Sequence, residues 1–134
     1  MWRNVSIGFM LVILLAFATG CQLTQSAFSR IAGDTGAAFA AAATTLQYAH
    51  DGKISANYAS ASFISFQSEL SGLNSLLPSQ QGVPDTQTLH RLLDLYTSAM
   101  QAVNHPCLDE SCDWQAQLTI LKRASEAFLK AGGS

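Results

Sequence analysis

Residues 59–78, ASASFISFQSELSGLNSLLP, decide how the chain folds. Within them Ala59, Phe63, Phe66, Leu70, Leu73 and Leu77 follow one another at alternating steps of four and three residues. In a helix of 3.6 residues per turn that spacing puts all six on one seam, which must be buried against other helices. Gln67, one position round the same helix from Phe66, is expected to be exposed. Ser55 is placed to cap the start. Pro78 stops the helix, since proline has no N–H and clashes with the preceding turn.

The same period recurs on either side. Toward the N-terminus, Phe28, Ile31, Thr35, Ala38, Phe39, Ala42, Leu46 and Ala49 make one face of a helix that should end at Asp51-Gly52, where glycine suits a left-handed cap. His50 then lies near the negative end of the helix dipole. Gly33 and Gly36 weaken this helix, yet Ala32, Gly36 and Ala40 form a ridge of small residues along which a second helix can approach closely. Toward the C-terminus, residues 78–84 read as a loop. Asp85 or Thr86 caps a third helix with Leu89, Leu92, Leu93, Tyr96, Ala99 and Val103 on its stripe, ending at Asn104-His105-Pro106. Asp113 caps a fourth, with Trp114, Leu118, Leu121, Ser125 and Phe128, ending at Gly132-Gly133. No stretch carries the two-residue period of a strand. Four amphipathic segments with short connections predict an all-α fold, a small up-down-up-down four-helix bundle over residues 27–131.

Ahead of the bundle, residues 1–20 have a different composition. Arg3 is followed by a nearly unbroken apolar run from Val5 to Leu15 and then by Ala16-Phe17-Ala18-Thr19-Gly20-Cys21. A cationic start, about a dozen apolar residues and a small-residue end make a secretory signal helix. The run is shorter than the ~20 apolar residues of a membrane span. Ala18-Thr19-Gly20-Cys21 resembles the lipobox of bacterial lipoproteins, departing from it at Ala18, where that class most often has leucine. The resemblance implies that the Cys21 thiol receives a diacylglyceryl group and that the leader is cut before it. Residues 21–26 would then be a lipidated N-terminus and short tether. Gln22, where aspartate commonly retains such proteins on an inner membrane, favours transfer to an outer one. A competing cut after Ala18, at the A-x-A site Ala16-Phe17-Ala18, would release a soluble protein beginning at Thr19. Cysteine parity argues for the lipid: if Cys107 and Cys112 pair, Cys21 is the odd thiol.

Charged residues are only 12% of the 134, and removing Arg3 leaves six Lys/Arg against nine Asp/Glu, a net charge of about −3. Nucleic-acid binding needs a cationic face and is not expected. Attraction to anionic lipid is equally weak, so the membrane partner must be engaged through the lipid itself.

Between the last two helices, Cys107-Leu-Asp-Glu-Ser-Cys112 reads as a disulfide stapling a helix hairpin in an oxidising compartment. Its four intervening residues do not match the C-x-x-C of thioredoxin-like redox sites. His105, Cys107, Asp109, Glu110 and Cys112 could serve a metal or a small enzyme site, but zinc sites usually show two close-spaced ligand pairs and only one is present. His90 and Asp94, four apart, are two ligands at most. Nucleophile elbows, paired zinc histidines and phosphate loops do not occur in the sequence. The expectation is a non-catalytic domain in the cell envelope with no cofactor or resident metal, binding an envelope protein or small ligand or serving as structure.

Overall fold

A computed structural model describes residues 25–133, and each helix boundary in it has a local cause. Helix α1 (Ala27–His50) opens on Ser26, whose hydroxyl accepts the Ser29 N–H at 3.1 Å. It closes where Gly52 takes a left-handed φ of 72° and Lys53 N–H returns to the Tyr48 carbonyl at 2.9 Å. Helix α2 (Ala56–Leu70) is capped by Ser55, and α4 (Trp114–Ala131) by Asp113, both through side-chain oxygens. Asp85 occupies the cap position of α3 (Thr86–Asn104), though its side chain makes no capping bond there.

The second helix is shorter than its apolar seam predicts. It ends at Leu70; Ser71 is extended, Gly72 has φ +81°, and the chain resumes as a one-turn helix (Leu73–Leu76) and a 3-10 turn (Leu77–Ser79) containing Pro78. Glycine alone takes such a φ without strain. The break is held from across the bundle by Tyr96 of α3, whose hydroxyl donates to the Leu70 carbonyl left open at the helix end. Leu70 and Leu77 are both buried, so the seam reaches one core in two pieces. Burial raises the Tyr96 phenol above the ordinary tyrosine range, against the opposing effect of backbone groups at Leu73 and Asn74. The fold therefore favours the neutral phenol, and this contribution is complete below about pH 10 and is lost as pH rises through the raised value. An ultraviolet pH titration should show one tyrosine ionising late, and Tyr96→Phe should remove that late step together with the alkaline fall in stability. Late ionisation that survives Tyr96→Phe would assign it elsewhere.

The four helices form an antiparallel ring in which α1 packs most extensively on α4, and α2 and α3 complete it. Phe28, Phe39, Phe63, Leu92, Val103, Leu121 and Phe128 are fully buried at its centre. The Phe39 ring lies between those of Tyr96 and Phe128, at 6.0 Å and 5.9 Å. Two neighbours on α2 differ from the simple stripe. Phe66 is only half-buried, edge-on to Phe63 at 5.7 Å. Gln67, expected to be exposed, is half-buried and donates to the Val103 carbonyl at 3.1 Å, satisfying an acceptor at the end of α3.

The small-residue ridge of α1 meets α4. A Cβ on Gly36 would lie 2.7 Å from the Leu129 backbone nitrogen and 3.0 Å from the Ser125 carbonyl oxygen. Ser125 takes advantage of the approach and donates its hydroxyl to the Gly36 carbonyl at 2.8 Å. Gly132 lies against the Gly33 backbone in the same way, so its role is packing as well as ending the helix. At the same end Gln25, the first described residue, donates to the Gly132 carbonyl at 3.0 Å. Gln25, expected to belong to the tether, is thus tied to the end of α4.

Candidate functional site

The loop between α3 and α4 is fastened by Gln117, from the first turn of α4. Its side-chain oxygen accepts the Cys107 N–H at 2.8 Å, and its amide donates to the His105 carbonyl at 2.9 Å. Cys107 is thereby pinned inward at 2% exposure, while Cys112 lies exposed, with the two sulfurs at bonding distance, 2.02 Å apart. Closing so short a loop by a disulfide stabilises by about 2 kcal/mol through the unfolded chain. Asp109 accepts from both the backbone N–H and the hydroxyl of Ser111. Those bonds, the hydroxyl first, hold its carboxyl below the usual carboxylate range.

The residue that the sequence did not connect with this loop is His50, from the last turn of α1. Its Nε2 lies 2.7 Å from the Cys107 carbonyl oxygen, which can only accept, so that nitrogen carries the proton. The ring stacks on Trp114, centroids 4.1 Å apart and planes 7° from parallel. Nδ1 faces Glu110 at 3.8 Å, but Glu110 is 91% exposed, and a solvated pair of this kind adds little. His50 therefore joins the end of α1 to the α3–α4 connection.

Of the five residues proposed from sequence for a metal, Cys107, Asp109 and Cys112 come together, with ligand atoms within 4.8 Å. A disulfide between Cys107 and Cys112 would leave neither as the thiolate that a metal binds. Glu110 faces His50, and His105 is engaged through its backbone by Gln117. His90 and Asp94 are exposed on α3. A shallow groove of about 520 Å³ between α1 and α4 is lined by Ala40, Thr44, Gln47, Tyr48, Lys122 and Glu126 among others. The core aromatics Phe63, Tyr96 and Phe128 pack into the centre of the bundle and do not line that groove. Among the described residues no helix is long and apolar enough to cross a membrane. The expected signal segment, residues 1–20, and the expected lipidation site Cys21 lie outside the described residues.

Comparison with family models, curated proteins and solved structures found no match.

Proposed function

We propose that this chain is an extracytoplasmic lipoprotein: a non-catalytic helical bundle, anchored to a cell-envelope membrane by lipid on Cys21, that acts by binding an envelope component or as structure. The observation that carries the reading is the disposition of the cysteines. Cys107 and Cys112 sit at disulfide distance on one loop, and such pairs persist in oxidising compartments outside the cytoplasm. Cys21 is then the one cysteine without a partner, and it follows Thr19-Gly20 at the end of an apolar run, where a lipoprotein carries its acyl groups. Lipid there resolves the odd count.

The bundle supports the non-catalytic half of the reading. Its aromatics pack against one another, and His50 gives its Nε2 proton to a backbone carbonyl and its ring face to an indole.

Detergent phase partitioning tests the anchor. The mature wild-type protein should enter the detergent phase, and Cys21→Ser should lose its acyl mass. A soluble product starting at Thr19 in wild-type cells would replace this reading with secretion.

A further inference from the structure

We propose that the bundle stands on the bilayer by the end that carries the charge-free stretch 70–84, with the more acidic end that carries the Cys107–Cys112 loop directed away from the lipid; this rests on lipidation of Cys21. The two ends differ in charge. No Asp, Glu, Lys or Arg occurs between Glu69 and Asp85, the stretch that forms the one-turn helix, the 3-10 turn and the loop leading to α3. That stretch sits beside the start of α1: Phe28 N–H donates to the Gln81 carbonyl at 3.0 Å, and a Cβ on Gly82 would fall 2.4 Å from the Ser26 Cβ. It presents Leu76, 44% exposed, together with exposed Pro78, Ser79 and Gln81. Around it lie Arg30 and Lys130 with Asp34, Glu69 and Asp85, a net charge of −1, with Asp34 and Glu69 sharing a hollow with Leu76. At the opposite end Asp51, Asp109, Glu110 and Asp113 gather around His50 and Trp114, with Lys53 the nearby cation.

Covalent geometry selects the end that faces lipid. Gln25 is tied to Gly132 and Ser26 caps α1, so the fold is fixed from these residues onward. Cys21 precedes Gln25 by four peptide steps, which span at most about 14 Å in any arrangement. The other end of α1 is 24 residues away, about 36 Å along the helix. A charge-free stretch with an exposed leucine can touch the head groups while the charges around it stay in water. The acidic end would be repelled by anionic lipid. Lying flat would bring flank charges such as Lys122, Arg123 and Glu126, or Arg91 and Asp94, against the surface.

The test uses the lipidated protein in phosphatidylcholine vesicles that contain a lipid with a nitroxide on its head group. Trp114 reports the acidic end, since Trp2 leaves with the leader. Leu76→Trp, at an exposed position, reports the other end. It is read both in a Trp114→Phe background and, should that background fold poorly, as the difference from wild type. The expected result is loss of most of the Leu76→Trp emission with Trp114 emission unchanged. Acylated, vesicle-bound protein in which the Leu76→Trp signal is unquenched, or both are quenched alike, overturns the orientation and leaves the lipid anchor standing. Protein without acyl mass on Cys21 overturns both.

Discussion

Replacing Phe39 by alanine should lower the unfolding free energy by about 3–5 kcal/mol, the range for removing a buried aromatic ring from a packed core. Phe39 has no exposed surface, and its ring touches both Tyr96 of α3 and Phe128 of α4 from α1. One side chain therefore joins three helices, and its removal leaves a cavity that no single helix can close by shifting. Domains of this size have about 5–15 kcal/mol in total, so the loss is a large fraction of what holds the bundle. Tyr58→Ala, at a position 63% exposed on α2, should change stability by less than about 0.5 kcal/mol. Urea unfolding of a chain beginning at Gln22 compares the two. Similar small losses would mean that the three rings do not meet.

Gly36→Ala sets helix propensity against packing. Alanine in a helix interior is favoured over glycine by about 1 kcal/mol, so α1 considered alone should gain. Packing demands the reverse, because the new Cβ would meet the α4 backbone nitrogen of Leu129 at 2.7 Å, and backbone cannot rotate aside. The helices would have to separate, weakening the Ser125–Gly36 bond and dispersion contacts along their interface. A net loss toward the upper end of about 1–3 kcal/mol is expected. Gly33→Ala is the internal control: its Cβ would find the nearest atom at 3.9 Å, so there the propensity gain of up to about 1 kcal/mol should appear. Equal gains at both positions would contradict the close approach of α1 and α4.

What could be read from sequence was what neighbouring residues decide. Ser55, Asp113 and Gly52 act at the helix ends where their chemistry placed them. The Ala32-Gly36-Ala40 ridge was visible as a groove, though only the fold identifies α4 as its occupant. Gly72 escaped notice because the apolar spacing runs straight through it, and periodicity carries no information about φ. Phe66 lies on the seam by number but at the edge of the core in space, partly buried against Phe63. Gln67 is polar and stands beside the seam, where exposure is the expectation, yet a long amide side chain can reach the open carbonyls of a neighbouring helix. At the candidate site the loop residues were legible as a cluster. His50 was not, being 57 residues from Cys107. An up-down-up-down order does bring the end of α1 to the start of α4, which was the one available signal for the His50–Trp114 stack.

The three cysteines carry the lipoprotein reading, and one experiment reads all of them. Membrane-extracted protein is isolated without reductant, alkylated, digested and mapped by mass spectrometry. The expected map has an N-terminal peptide beginning at acylated Cys21, a disulfide-linked Cys107 and Cys112, and no alkylated cysteine. An unacylated N-terminus at Thr19, or alkylated Cys107 and Cys112 in unreduced protein, would contradict it.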